Sequence, residues 1–394
     1  MSIRGKAAIV GIGETPPDRL GSKPGEPRRS VQDYLATAMR LALTDARLTK
    51  KDFDGQGLGA IYSAGQSQAF WPAEVADILG LSPGLLLAGG QGGASAVSLL
   101  GQASAAIASG LIELALIVSA DAPFSDPVTG SQASNTRDFE VPFGAMGPNS
   151  KIALVMRRHM HEYGTTLEQL GRIAVASRYH ASLNPDAYLR APITIDDYKN
   201  SRLIADPIRL LDCVMRTDGA AGLIMMSHKR AKEKGLSKCI IPIGYAERTN
   251  FKGGENLVDV TKSGHEVCGK KALGQAGLGI KDIASFHPYD DFIIAIMLQF
   301  EAFGFCKPGQ GVSYIRDTNF AFDGDLPLNT GGGQISAGQA ACSSHNLVEA
   351  VRQLRREGGK RQVKDTKNAL VTGIGWINYG RNWGSSAALV LVPE

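Results

Sequence analysis

The stretch that decides the fold is residues 88–123, AGGQGGASAVSLLGQASAAIASGLIELALIVSADAP. It predicts a glycine-rich loop, a small-residue helix from about Ser95, a stop at Gly110 and an apolar strand from Glu113 to Ser119. Gly110 is well placed to end the helix, because glycine takes the left-handed conformation that commonly follows a last turn. The many alanines and serines indicate that other elements pack very close, as on a buried central helix of an α/β sandwich.

The same order of elements returns in the last third of the chain. Residues 328–346, LNTGGGQISAGQAACSSHN, form a second glycine-rich loop, which is followed by a predicted helix and the strand NALVTGIG. We infer an internal duplication of a βα unit, with both loops able to meet at one site. The expected domains are a first half, an inserted loop region and a second half, at residues 1–122 plus 217–238, 123–216 and 239–394.

Composition excludes several classes of protein. Of 394 residues, 43% are hydrophobic and 20% are charged, which is typical of a soluble globular protein. The net charge of +4 gives no argument for nucleic acid. The five cysteines form no CxxC pair and, with the seven histidines, no zinc spacing, so we expect no metal and a reduced, cytoplasmic setting. We also expect no secretory leader and no membrane span, because no apolar run reaches about 18 residues.

Two weaker patterns do not carry a site. Gly-x-Gly-Glu-Thr-Pro, residues 11–16, lacks the third glycine of a nucleotide fingerprint, and Pro17 extends the interruption of the following helix. A turn that ends a strand is the better interpretation. His159 and His161 are two residues apart on a predicted helix and point away from each other, so we expect solvated histidines rather than a metal pair.

Four segments together match a known family. GGASAVSLLGQASAAIASG is similar to the segment around that family's nucleophilic cysteine, and HPYDDF to its Asn-Glu-Ala-Phe or His-Asp-Cys-Phe motif. NTGGGQISAGQAA is similar to its Asn-x-x-Gly-Gly…Gly-His-Pro motif, and TGIG to its Cys-x-Gly motif. On these motifs the chain resembles the thiolase superfamily, and within it the lipid-transfer-protein type, over essentially its whole length.

The resemblance implies an α/β thiolase fold, a five-layered α/β/α/β/α sandwich of two similar halves with an inserted loop domain. It also implies a homodimer, no bound cofactor, and a coenzyme A thioester as the substrate. A small zinc-ribbon/OB-fold subunit is the expected partner. The residues that would contact the substrate are Ser95, Asn329, Gly338 and Gly373.

The departures from the family pattern bear directly on the chemistry. The nucleophilic cysteine falls on Gly93, the histidine of Gly-His-Pro on Gln339, the second cysteine on Gly373, and the asparagine that holds a catalytic water on Tyr289. Glycine cannot form an acyl-enzyme, so thiolysis through the usual cysteine is excluded. Backbone N–H groups near Gly93 and Gly375 can still bind a thioester or enolate oxygen.

Five side chains remain as candidates for the chemistry. Cys342 is either a relocated nucleophile, activated by a helix N-terminus and by His287 or His345, or a small packed residue. Tyr289 is a general acid or base or a wall residue, and Gln339 can donate a hydrogen bond where histidine did. His287 is catalytic or orienting, or simply a buried histidine, and His345 can equally face solvent.

Three functions follow from these candidates. The first is a divergent thiolase that cleaves or forms a C–C bond of a β-ketoacyl-CoA through Cys342. The alternative is a retro-aldolase that cleaves a β-hydroxyacyl-CoA without an acyl-enzyme. Members of the family that lack the cysteine include steroid side-chain aldolases thought to use two tyrosines; Tyr289 matches one, and the other has no clear counterpart between Gly331 and Asn346. A third possibility is a non-catalytic lipid- or acyl-CoA-binding subunit.

Overall fold

The computed structural model describes residues 3–61, 70–127, 140–145, 147–255, 259–340, 344–375, 377–378 and 382–394. Its strands, in chain order from β1 to β13, are Ala7–Glu14, Gly57–Ile61, Leu85–Gly89, Leu114–Asp121, Leu203–Ala205, Ile208–Arg209, Gly219–Ser227, Ile240–Thr249, Phe286–His287, Ala369–Ile374, Ile377–Asn378, Asn382–Trp383 and Ser385–Pro393. Its α-helices, from α1 to α12, are Val31–Ala46, Trp71–Leu79, Ser95–Ala108, Gly147–Tyr163, Leu167–Leu183, Ile195–Asn200, His228–Glu233, His265–Ala276, Ile293–Phe303, Gly311–Asp317, Gly333–Ala337 and Ser344–Leu354.

The two halves of the chain build the same arrangement of strands. The nine-stranded sheet runs β3-β2-β4-β7-β1-β8-β13-β10-β9. In the first half β2 is parallel to β3 and β4, and β7 runs antiparallel between β4 and β1. In the second half β9 is parallel to β10, and β13 runs antiparallel between β10 and β8. The predicted duplication and the thiolase fold class are therefore confirmed.

Two buried helices separate the strands of the two halves. Helices α3 and α12 share one hydrophobic cluster with the inward faces of strands from both halves, and the outer helices share the other cluster. On β4 the alternation is regular, since Leu116 and Val118 face the outer cluster whereas Ala115 and Ile117 face the inner one. Among the described residues, the strand ladders of the two halves meet where Ile9 of β1 pairs with Ile240 of β8. This gives the five layers of the sandwich.

The small residues of α3 let other elements pack close to the helix, as the sequence predicts. A Cβ on Gly101 would lie 2.3 Å from the ring of Tyr245, so only glycine lets β8 pack there. Helix α3 ends at Ala108 and Gly110 follows with φ +77°, as its sequence predicts.

The inserted region contains α4, α5, α6 and the short hairpin β5–β6. Strand β7 then returns to pair with β1 and β4. The residue limits of the three domains stay a prediction. The prediction that His159 is solvated is wrong, because its side chain is fully buried. Its Nδ1 lies 2.7 Å from Thr165 Oγ1, and its Nε2 lies 3.3 Å from Glu301 Oε1, so a distant helix supplies the partner that keeps this polar ring inside.

Candidate active site

The site begins at the turn before α3. A short 3-10 turn, Gly92–Ala94, leads into that helix, and Gly92 has φ +57°. The first N–H groups of a helix have no acceptor within the helix, so a donor at this turn is physically possible. The role of Gly93 as an oxyanion donor stays a prediction. Ser95 closes the turn, since its buried hydroxyl accepts a hydrogen bond from the Gln91 N–H at 3.0 Å. That bond uses the hydroxyl oxygen as an acceptor and not its O–H donor, and substrate contact by Ser95 stays a prediction.

The ring of Tyr289 fills the space where a side chain at position 93 would stand. A Cβ built on Gly93 would lie 2.0 Å from Cε2 and Cζ of Tyr289 and 2.5 Å from its hydroxyl oxygen. Real Cβ atoms are never that close to another heavy atom, so the tyrosine requires glycine at 93. Tyr289 is 6% exposed. The phenol therefore occupies the place from which, by the resemblance, a nucleophilic cysteine would act.

Two further glycines let β10 approach this turn. A Cβ on Gly373 would lie 2.6 Å from Ala94 Cα and 2.9 Å from the Gly93 carbonyl oxygen. Gly373 therefore serves close backbone packing, and its direct contact with a substrate stays a prediction. The Gly375 N–H donates to the Ser385 carbonyl at 2.8 Å. Its predicted role as an oxyanion donor would require that ladder bond to break.

Asp290 follows the tyrosine and is fully buried. Its Oδ1 accepts from the Gln334 N–H at 3.1 Å and from Asn346 Nδ2 at 2.8 Å. A Cβ on Gly333 would lie 1.9 Å from Asp290 Oδ2, so glycine is needed at the start of α11 as well. Burial raises the pKa of Asp290 to about 7. The sequence analysis missed this residue, although the first acidic position of HPYDDF was its signal.

His287 lies at the end of β9 and is fully buried. Burial lowers its pKa to about 4, so the ring is neutral near pH 7. Nε2 lies 3.3 Å from Ser285 Oγ, and Nδ1 has no partner among the residues that the structure describes. A catalytic role for His287 stays a prediction.

The second glycine-rich loop is held chiefly by its backbone. The Gln339 N–H donates to the Met215 carbonyl, and the Gln339 carbonyl accepts from the Thr217 N–H at 3.0 Å. Gly338 has φ +119°, and a Cβ there would lie 2.9 Å from Pro17 Cβ. The side chain of Asn329 donates to the Pro288 carbonyl at 3.0 Å, which links this loop to the turn that carries Tyr289. Substrate contacts by these residues stay predictions.

His345 takes part in a partly buried ionic cluster. Its Nδ1 lies 2.7 Å from Glu14 Oε2, and the other oxygen of Glu14 pairs with Arg352. Burial opposes ionisation of Glu14, but the charge of Arg352 and the hydrogen bond from His345 lower its pKa to about 2. His345 thus has a carboxylate partner, whereas the sequence also allowed it to face solvent. Cys342, the predicted nucleophile, lies outside the described residues.

The other four cysteines are ordinary packed thiols. Each is free of disulfide bonds, and burial raises the pKa of Cys213, Cys268 and Cys306 to about 12 and that of Cys239 to about 11. They are protonated and weakly nucleophilic near pH 7. In the described part of the chain, no group of His, Cys, Asp and Glu side chains is placed to hold a metal ion. No helix within the described ranges is long and apolar enough to cross a membrane.

Comparison with known proteins finds one family throughout. Residues 248–384 match the model of the "Thiolase C-terminal domain-like" family. The chain is 34% identical over 387 residues to the "Steroid side-chain-cleaving aldolase" of Thermomonospora curvata, covering 93% of this chain and 95% of that protein. It is 31% identical over 390 residues to the "17-hydroxy-3-oxo-4-pregnene-20-carboxyl-CoA lyase" of Mycobacterium tuberculosis, covering 94% and 96%.

A solved structure described as the "Ltp2-ChsH2(DUF35) aldolase" superimposes on the whole chain. The TM-score is 0.86 at 30% sequence identity, and the match covers 100% of this chain and 99% of that one.

Proposed function

Because the chain belongs to the thiolase superfamily, and within it to the lipid-transfer-protein type, we propose that it is a retro-aldolase that cleaves a β-hydroxyacyl-CoA. The observation that carries the proposal is the phenol of Tyr289 in the space beside Gly93. An acid–base group thus stands where a thiolase would need a nucleophile. The names of the relatives, an aldolase and a lyase, favour this function over the divergent thiolase that the sequence first suggested.

The reaction needs proton transfer and charge stabilisation but no covalent intermediate. As the β-hydroxyl loses its proton, the bond between Cα and Cβ breaks, Cβ becomes a carbonyl carbon, and the electron pair enters the thioester as an enolate. A proton delivered to Cα then completes the acyl-CoA product. We assign to Tyr289 the proton exchange with the β-hydroxyl, because its phenol lies at the turn that leads into α3.

The enolate oxygen needs donors that are in place before reaction. At the turn before α3, the Ala94 N–H donates to the Gln91 carbonyl at 3.2 Å and the Ser95 N–H donates to the Gly92 carbonyl. The donor that we assign is therefore the Gly93 N–H, which lies at the positive end of the helix dipole. A fixed donor of this kind stabilises developing negative charge without reorganisation, and we propose that it binds the thioester oxygen.

Substitution of the phenol tests the proposal. Tyr289→Phe keeps the ring beside Gly93 and removes only the hydroxyl, so we expect a loss in kcat of about 10²–10⁴-fold with little change in stability. The substrates are two β-hydroxyacyl-CoAs, one of which is a 17-hydroxysteroid 20-carboxyl-CoA. Chromatography measures the ketone and the acyl-CoA that are formed. Tyr245→Phe is the matched control, because Tyr245 also packs against a glycine, Gly101, but outside this site.

A second measurement, of covalent adducts on the protein, distinguishes the thiolase alternative. Intact-protein mass spectrometry after incubation with β-ketoacyl-CoAs would show an acyl adduct that disappears in Cys342→Ser. A retro-aldolase forms its products without free coenzyme A and without an adduct. An adduct on wild type, together with full activity of Tyr289→Phe, would refute the proposed function.

The partner is a separate part of the proposal. The aldolase that superimposes on this chain is described as a complex with a DUF35 protein. We propose that this chain likewise works with a small zinc-ribbon/OB-fold subunit. Full activity of the chain purified alone would contradict that part.

A further inference from the structure

The turn that carries Tyr289 begins where the pairing of two strands stops. Strands β9 and β10 pair as far as His287 and Val371. Pro288 has no N–H to donate, so it cannot extend the ladder. On β10 the next residue, Thr372, accepts the Tyr289 N–H on its side-chain Oγ1 at 3.0 Å. A side-chain hydroxyl thus replaces the backbone acceptor that the ladder would have supplied.

A second side chain closes a ring of hydrogen bonds around Tyr289. Gln299, on α9, donates from Nε2 to the Tyr289 carbonyl at 2.9 Å. The hydroxyl of Thr372 donates to Gln299 Oε1. Both side chains are about 1% exposed. The N–H and the carbonyl of Tyr289 are therefore both held by side chains, one from a strand and one from a helix.

Side chains also hold the carbonyl of the Pro288–Tyr289 peptide group. The Pro288 carbonyl accepts from Asn329 Nδ2 at 3.0 Å and from Asn346 Nδ2 at 2.9 Å. Backbone that leaves a sheet is usually free to move with its loop, but this turn has little freedom, since four side chains hold it. The direction in which the Tyr289 ring leaves the backbone is thereby set.

We propose that Thr372 and Gln299 are positioning residues for catalysis, which act through the backbone of Tyr289. The inference rests on the proposed function. The phenol must stand beside Gly93 within a fraction of an ångström, and a displacement of about 1 Å can reduce a rate on the order of 10²-fold. Neither side chain needs to touch the substrate, because each acts on the residue that does.

The test compares variants that differ in one hydroxyl. Thr372→Val keeps the shape and removes both hydrogen bonds, whereas Thr372→Ser keeps the hydroxyl. We expect Thr372→Val to lower kcat by about 10²-fold with KM within about twofold, and Thr372→Ser to restore at least a third of the wild-type kcat. Gln299→Met, of similar length and without a buried charge, should also lower kcat and leave KM unchanged.

A matched control separates positioning from loss of stability. Thr366 is also buried, and its hydroxyl donates to the Val363 carbonyl at 2.8 Å, in a loop of the same half that does not contact Tyr289. Thr366→Val should lose a similar amount of stability and keep its kcat. If Thr366→Val and Thr372→Val lower kcat equally, the effect is structural and the inference is overturned.

Amide hydrogen exchange tests, without turnover, the clamp that the side chains of Thr372 and Gln299 form on the backbone of Tyr289. In the peptide 286–292 the Tyr289 amide should exchange faster in Thr372→Val than in wild type, and at the wild-type rate in Thr372→Ser and Thr366→Val. Faster exchange with an unchanged kcat would refute positioning but leave the retro-aldolase intact. If the wild type cleaves no β-hydroxyacyl-CoA although its Tyr289 amide exchanges slowly, the proposed function is refuted, and this inference is refuted with it.

Discussion

At the scale of single residues, the site depends on the contact between Gly93 and Tyr289. The two residues come from opposite halves of the chain, and a Cβ on the glycine would lie 2.0 Å from two ring carbons of the tyrosine. Any side chain at 93 must push the ring away, and overpacking of this kind costs about 1–3 kcal/mol. The ring is also the proposed acid–base group, so its displacement removes activity as well.

We therefore expect Gly93→Ala to lower the free energy of unfolding by about 1–3 kcal/mol and kcat by at least about 10²-fold. Urea titration and steady-state kinetics measure the two effects. The control is a second background, Tyr289→Ala, where the space is empty and Gly93→Ala should cost much less. Equal costs in both backgrounds would show that the ring does not occupy this space in solution.

Little of this contact is visible in the sequence. The resemblance aligns Gly93 with the lost cysteine and Tyr289 with the lost asparagine, each as an isolated substitution. Only the stacking of the two half-sheets shows that one substitution makes room for the other. The clamp of Thr372 and Gln299 was likewise not predicted, because hydrogen bonds between a strand, a turn and a helix depend on tertiary placement.

At the scale of elements, the ionic cluster fixes α12 to the end of β1. Arg352 on α12 pairs with Glu14 and, at 2.8 Å, with Glu349, and Arg361 pairs with Glu349 at 2.9 Å. Glu349 also accepts from the hydroxyl of Thr330 in the second glycine-rich loop at 2.8 Å. The cluster therefore holds the helix, the strand and the loop in one arrangement.

We expect Glu14→Gln to lower the free energy of unfolding by about 1–3 kcal/mol at pH 7. The pKa of Glu14 is about 2 in the folded protein and 4.5 without its partners, so the stabilisation is complete above pH 4.5 and is lost as the pH falls towards 2. The deficit of the variant should thus shrink as the pH falls below 4.5, as measured by urea unfolding.

An exposed ion pair provides the control. Glu113, whose side chain is 62% exposed, lies 3.3 Å from Arg230. Glu113→Gln should change stability by no more than about 1 kcal/mol, since water screens such a pair. A deficit of Glu14→Gln that grows as the pH falls below 4.5 would contradict the assigned ionisation.

The elements themselves were largely predictable, for reasons that lie in local chemistry. Gly110 after α3 and the alternation of β4 follow from helix termination and from the period of a strand. His159 was mispredicted because local pattern carries no information on Glu301, the partner that a distant helix brings to it.

At the scale of the whole molecule, the sheet has an apolar edge. Strand β3 pairs with β2 on one side, and no other described strand pairs with its second side. Leu86 on this strand is 43% exposed. An unpaired edge strand with an exposed leucine is a template for another strand, so we expect two copies of the chain to join there.

We expect Leu86→Glu to convert a dimer to a monomer, because facing copies would bring two like charges together at the edge. Sedimentation velocity at micromolar concentration measures the change. Leu111→Glu is the control, since Leu111 is 66% exposed but lies in the turn before β4. A wild type that sediments as a monomer, or a dimer that survives Leu86→Glu, would contradict this prediction.

The volume shared by positions 93 and 289 also constrains how such a protein can arise. A cysteine at 93 collides with the Tyr289 ring in its present place, so a chain that gained the tyrosine while it kept the cysteine would lose stability. Loss of the cysteine first, through an intermediate with neither side chain, avoids that cost. The two substitutions are therefore epistatic, and return of a cysteine at 93 would carry the same cost while the tyrosine remains.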